Sequence, residues 1–327
     1  MLIRSEKYWF LFVIFALTVL AAASTASAAD SLFGFSEGYK GVSKIKPSPT
    51  DVLKVKPWGV SSRFEGLSSL NPATWGLNCF LPTPAKGQFL AGPEIMFGRI
   101  QGEARRAATL AGLESTHVDF DDNLNFSKGG HTVWSINALY QLRPRLALTY
   151  SFMPISVEGS GTSVRGFQFG GQSFSAGTSL HSKWERYVHR TGIMVNVSRR
   201  SNAATSLFAQ WLYMQDRLSI RDTVGTSPGV TWDDDKNLAM LGVRFDKCLR
   251  NFRGNTLSLN ILGGVAFLDD SMGYEAEAGL SYLIPIKTGR FGFVKGGYKY
   301  SHLKKESDLE MFGTTLDGAY LQLGFLF

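Results

Sequence analysis

The sequence predicts an all-β protein: a transmembrane up-and-down antiparallel β-barrel of about ten strands, preceded by an irregular N-terminal segment. Three observations predict it. From Gly92 to the end, apolar and polar residues alternate with a period of two between turn-forming residues. The connections between these segments alternate long and short, as when every loop on one side of a barrel is long and every turn on the other is tight. The composition agrees, with 35 Gly, 24 Phe, 11 Tyr and 7 Trp in 327 residues and 19% charged residues, below the ~25% of an average soluble domain. The aromatic content excludes disorder over the whole chain. Two cysteines exclude a disulfide scaffold or a four-cysteine zinc site. The absence of Cys-x-x-Cys-His excludes attached c-type haem.

Residues 1–28 read as a secretory leader. Arg4 and Lys7 are basic, Tyr8 to Ala23 is apolar, and Ala26-Ser27-Ala28 supplies a small-residue cleavage site before Ala29. The apolar run is shorter than the ~20 residues a spanning helix needs. Without the leader the chain keeps 32 basic and 26 acidic residues, a net charge of +6.

Residues 29–91 come next. Seven of the eleven prolines lie between Pro47 and Pro93, and proline cannot donate to a sheet ladder. This predicts an irregular, mildly basic segment that lies in the periplasm or enters the barrel as a plug. The barrel is expected over 92–327, with strands at 92–104, 130–142, 145–158, 178–198, 204–222, 235–247, 255–268, 273–286, 290–304 and 314–327. The clearest is 255–268, with Leu257, Leu259, Ile261, Val265 and Phe267 on one face and Thr256, Ser258, Asn260 and Gly264 on the other. The least clean is 204–222, because Phe208 and Leu212 fall on its polar face.

In hydrocarbon every backbone polar group must be paired internally, so a sheet spans only when closed. A closed sheet turns apolar side chains outward and permits polar ones inward. The outward set is expected to end in aromatic girdles: Trp134, Phe152, Tyr213, Phe267, Tyr274, Tyr298 and Tyr300 toward the loops, and Tyr140, Tyr282, Phe325 and Phe327 toward the turns. The last residues, with Ala319, Leu321, Leu323, Phe325 and terminal Phe327 at every second position, resemble the C-terminal signal of Gram-negative outer-membrane β-barrel proteins. The resemblance covers about 92–327 and the leader. It implies an outer-membrane location, contact with membrane lipid and lipopolysaccharide, and recognition by the barrel-assembly machinery, but no particular activity.

The expected inward ions are Arg99, Glu103, Arg186, Arg190, Asp216, Arg244, Glu275, Glu277, Lys295 and Lys299. Isolated charges in a narrow lumen are costly unless paired, so these predict a charge network, with Glu275 and Glu277 facing Lys295 and Lys299. Eight strands leave a lumen filled by side chains and 16–18 an aqueous channel, so ten predict a mostly filled one. The expected role is structural or interactive, through extracellular loops whose ligand is unknown. The alternatives are a narrow channel and a membrane-embedded hydrolase.

No catalytic constellation, metal site or cofactor is predicted, and no nucleic-acid partner. Asp119-x-Asp121-x-Asn123-x-Asn125 imitates the start of a calcium loop but has Leu124 where glycine is needed and Gly130 where a bidentate glutamate is needed. The loop Arg165–Gly177, with Phe167, Phe169 and Phe174, extends the strands above the membrane or folds inward, and extension is the favoured reading. Cys248 is expected in a periplasmic turn and Cys79 just before the first strand. In an oxidising compartment they form a candidate disulfide pinning the N-terminal segment beneath the barrel.

Overall fold

A computed structural model describes residues 86–107, 116–126, 130–225, 228–252, 255–268, 270–287, 290–307 and 310–326. The candidate leader, most of the 29–91 segment, Cys79 and Phe327 lie outside them. All described residues belong to one compact unit, Trp75–Phe327.

Ten long strands form the barrel: β1 (Phe89–Arg106), β3 (His131–Arg143), β4 (Leu146–Thr162), β7 (Ser179–Arg199), β8 (Ala203–Asp222), β9 (Val230–Phe252), β10 (Asn255–Leu268), β11 (Ser271–Lys287), β12 (Arg290–Glu306) and β13 (Glu310–Leu326). Each pairs antiparallel with the next, and β13 pairs with β1 to close the wall. Three short strands lie outside that order: β2 (Val118–Asp119) on β1, and the hairpin β5 (Phe167–Phe169) and β6 (Gln172–Phe174).

The strands outrun their expected bounds. β1 begins at Phe89 inside the segment expected to be irregular, and β9 spans 23 residues. A bulge at Leu257/Ser258 keeps β9 paired with β10 as far as Phe252, so Cys248 is a buried strand residue and not a turn residue. Longer strands also shorten the loops. Only 107–130, 163–178 and 223–229 are long connections, and the last two outer connections are as tight as the turns.

The register explains where the wall is apolar. Across β4, β7, β8 and β9 the outward rows are Leu146–Val195–Leu207–Val243, then Leu148–Ile193–Ala209–Leu241, then Tyr150–Thr191–Trp211–Ala239. The next row, Phe152–His189–Tyr213–Asn237, is an aromatic band, with His189 packed between Phe152 at 4.8 Å and Tyr213 at 6.3 Å. Above it the rows turn polar: Ser156–Glu185–Arg217–Asp233 and Glu158–Lys183–Ser219–Thr231. A transmembrane strand needs ~9–11 residues, whereas β7 has 21 and β8 has 20, so their outer halves stand clear of the apolar zone.

In those outer halves the pattern inverts. Along β8, Leu212, Met214, Leu218 and Ile220 point inward and are buried, while Gln215, Arg217 and Arg221 point out. The same inversion corrects β1. Arg99 and Glu103 are not in the lumen; they share the outward face with Ile95 and Phe97, and the Arg99 side chain is 70% exposed. Inward at that height are Met96, Ile100 and Ala104, all buried. The rule of polar inside and apolar outside holds only where the outer solvent is hydrocarbon.

Candidate functional site

The lumen has two halves. The outer half is an apolar, closely packed core. Residues 118–126 leave β1 and fold into the barrel, placing Phe120, Leu124 and Phe126 in a buried cluster with Trp184, Trp232 and Phe312. Phe120 bridges opposite walls, with ring centroids 5.6 Å from Trp184 on β7 and 5.7 Å from Phe312 on β13. The turn is set by its polar residues. The Asp119 carboxylate accepts the backbone N–H groups of Asp121 and Asp122 at 2.7 and 3.0 Å, and Asn123 Oδ1 accepts that of Asp119 at 2.9 Å. Asn125 takes φ of 57°, a conformation asparagine tolerates. These contacts give the calcium-like sequence a local structural use. Against β4 the turn approaches so closely that a Cβ on Gly159 would stand 2.1 Å from the Leu124 carbonyl oxygen.

The β5–β6 hairpin closes the outer mouth. Its Phe167 and Phe174 rings stack at 4.9 Å and join the same buried cluster with Phe169. Its tip reaches β1, where Gly170 N–H donates to the Arg106 carbonyl at 3.3 Å, and it also meets Val230 at the start of β9. The Arg165–Gly177 loop therefore folds inward instead of extending the strands: three phenylalanines on an eight-residue hairpin are better buried on an apolar core than held in water.

Within this core sits one anion with two cations. Asp216 accepts from Arg186 through two bonds at 2.6 and 3.0 Å, from Lys236 at 2.8 Å and from the Trp184 indole at 3.1 Å. A bidentate guanidinium–carboxylate pair is a strong charge-assisted contact. The cations also lie over rings: Arg186 is 4.8 Å from the Trp184 centroid, and Lys236 is 4.7 Å from that of Phe312. Lys236 continues to Asp234 at 2.9 Å, and Asp234 to Lys305 at 2.7 Å.

The turn-side half is polar. Lys295 binds Glu277, Lys299 binds Glu94 at 2.6 Å and Glu277 at 3.5 Å, and the Tyr320 hydroxyl donates to Glu277 at 2.9 Å. Glu275 does not join the lysines; it pairs with Arg190 across the lumen at 2.5 Å. Arg244 pairs with Asp246 two residues along its own strand, at 3.0 Å. Of the ten expected lumen ions, eight face inward, divided between these two networks. Glu94, Asp234, Lys236, Asp246 and Tyr320 belong with them and were missed. Their signal was parity: Lys236 shares it with Arg244, and Tyr320 lies opposite the outward Ala319 and Leu321.

On the outer face, Arg99 pairs with Asp317 at 3.4 Å, and Asp317 also accepts the Tyr298 hydroxyl. Ser160 Oγ lies 3.0 Å from His181 Nδ1, but the two are direct cross-strand partners on an exposed face. Among the described residues no carboxylate forms an ion pair with His181, so no third group orients the imidazole. No cluster of metal-ligating side chains occurs among the described residues.

Cys248 is disulfide-bonded and fully buried at the turn end of β9, while Cys79 lies outside the described residues. The Cys79–Cys248 pairing is expected to give an intact mass two hydrogens lighter without reductant than with it. Two alkylatable thiols in the native protein would remove the pin.

No protein-family model matches the chain, and no curated protein matches it in sequence. Solved structures do match. The outer-membrane protease OmpT of Escherichia coli aligns at TM-score 0.40 and 10% identity over 73% of this chain and 96% of its own. The attachment invasion locus protein Ail of Yersinia pestis aligns at TM-score 0.34 and 11% identity over 74% of this chain and 99% of its own. The toluene transporter TodX of Pseudomonas putida aligns at TM-score 0.29 and 8% identity over 74% and 90%. At these scores and identities nothing about activity passes from them to this chain.

Proposed function

We propose that the protein is a non-conducting outer-membrane barrel with a structural or interaction role, carried out by its rigid outer half. One observation carries the reading: the Phe120–Trp184–Trp232–Phe312 core and the Asp216 ion cluster fill the lumen where a pore would have to pass. Membrane placement is supported by the apolar rows and the aromatic band above them. The outward alternation of Ala319, Leu321, Leu323 and Phe325 on the last strand supports delivery by the barrel-assembly machinery. Lipid surrounds the belt, and the polar rows above the band meet lipopolysaccharide headgroups. A narrow channel and a hydrolase have weaker support, because the core is apolar and, among the described residues, no acid forms an ion pair with His181 of the Ser160–His181 pair.

The protein reconstituted in planar bilayers is expected to pass no current, and a reproducible unitary conductance would overturn the reading. Placement has its own test. Trp134 and Trp211, each 47% exposed on the outer wall, are expected to be quenched by brominated acyl chains, and the buried Trp184 and Trp232 to be spared. Single-tryptophan variants report each in turn, and equal quenching of all four would contradict the belt.

A further inference from the structure

The two ends of the barrel differ in charge. The four turns, with the strand ends that enter them (143–146, 199–203, 247–255 and 287–290), carry nine basic residues and no Asp or Glu. The five outer connections (107–130, 163–178, 223–229, 269–270 and 307–309) carry seven acidic residues and only two basic ones, Lys128 and Arg165. Cations on the outer strand ends are answered by acids: Arg217 by Asp233, Lys183 by Glu185 and Lys304 by Glu306. At the turn end the nearest carboxylate in sequence is Asp246, which pairs with Arg244 on the lumen side. The 29–91 segment has seven basic and four acidic residues, so it brings no surplus of acid.

These charges stand where lipid headgroups meet the wall. Arg145, Lys247 and Arg290 are exposed. Arg145 directly precedes Leu146 of the lowest apolar row, Lys247 shares the outward face of β9 with Val243, and Arg290 shares that of β12 with Val294. Arg143 and Arg200 are exposed beside them, whereas Arg199 lines the turn-side cavity of about 370 Å³ and faces the lumen. Every turn thus sets at least one cation outward, and together they encircle the barrel. A globular partner engages one side of such a ring, but a lipid leaflet meets all of it. Seven of the nine basic residues are arginine, whose guanidinium fork matches a phosphate.

We propose that the turn-end ring is a lipid-selecting collar that gathers anionic phospholipid, of the phosphatidylglycerol class, from the leaflet around it. The proposal rests on the membrane placement given above. Lys and Arg side chains near a bilayer surface attract anionic headgroups, and the attraction fades within a Debye length. The collar therefore acts on the turn-side leaflet alone, while the acid-answered outer end has no such preference.

The test is native mass spectrometry of the full-length protein from micelles holding equal parts of dimyristoyl phosphatidylglycerol and dimyristoyl phosphatidylcholine. The parent is expected to retain the anionic lipid over the zwitterionic one about tenfold. That preference is expected to fall toward parity as ammonium acetate rises from about 0.05 to about 0.5 M. Arg145→Gln/Lys247→Gln/Arg290→Gln is expected to come within about twofold of parity at the lower salt. Lys183→Gln/Arg217→Gln/Lys304→Gln, which removes as many charges from the outer end, is expected to keep the parent's preference. Native heat-modifiable migration certifies each variant, and Arg143→Gln/Arg145→Gln, expected to lose about threefold, decides if the triple turn-end variant does not fold. The proposal is overturned by parity in the parent, by a preference that the turn-end variants keep, or by one that the outer-end variant loses. Parity in lipid joined to tight binding of poly-glutamate would overturn it in favour of an acidic protein partner. Escape of Trp134 and Trp211 from quenching by brominated chains would instead remove the membrane placement beneath it.

Discussion

Asp216→Ala is expected to unfold the barrel or leave it barely stable. The substitution strips Arg186 and Lys236 of their shared anion while the core still excludes water, since their side chains are 7% and 3% exposed. Removing one partner of a buried ion cluster costs about 3–5 kcal/mol, a large part of the 5–15 kcal/mol that holds a typical domain together. The expected readout is loss of the compact, heat-modifiable gel species and a fall in the urea midpoint. The companion variant Asp216→Leu/Arg186→Met/Lys236→Met removes all three charges and is expected to recover most of that loss, because well-packed apolar replacements of buried ion clusters are often neutral. A stable Asp216→Ala barrel would mean that water reaches this level of the lumen.

The second large effect concerns conduction. Phe312 touches Phe120, Trp184 and Trp232, with Trp232 stacked at 4.7 Å and Arg186 and Lys236 over its faces. Phe120→Ala/Phe312→Ala empties the middle of the outer core. Each truncation costs about 3–5 kcal/mol if the cavity stays dry, which water entry beside Arg186 and Lys236 would partly offset. The variant is expected to show current in planar bilayers where the parent shows none, by joining the turn-side cavity to the outer mouth. A folded but silent variant would place the barrier elsewhere, in the β5–β6 lid or the ion cluster.

Much of the fold was legible because each strand obeys one local rule, alternation, and because tight turns such as Arg143–Leu146 announce themselves. Two things were not legible. The first was phase above the membrane. Arg99 sits two residues past Phe97 on the same face, and nothing in a six-residue window says that the outer solvent has changed from lipid to water between them. Phe208 and Leu212 break the alternation of β8 for a related reason: both are inward apolar residues, buried in the lumen with Met214, Leu238 and Met240. The second was long-range company. Lys236 and Asp216 lie on neighbouring strands at unlike heights, Lys236 facing Met214 and Asp216 facing Asp234 in the register, so cross-strand pairing alone does not join them. Arg190 meets Glu275 only because the wall closes into a ring. Glu275 and Glu277 share a face with similar sequence surroundings, yet they find partners on different sides of the lumen.

The inversion along β8 also changes how a single substitution should be read. Ala209 and Ser219 both point outward on the same strand, ten residues apart. Leucine at Ala209 faces lipid and is close to harmless, whereas leucine at Ser219 faces water beside Lys183 and Thr231 and adds a sticky patch. One ribbon is thus governed by two opposite tolerance maps, and the aromatic band at Tyr213 is the border between them. Changes meant to alter what the protein presents to its surroundings belong above that border, where the wall answers to the rules of a water-soluble sheet while the lower half keeps it anchored.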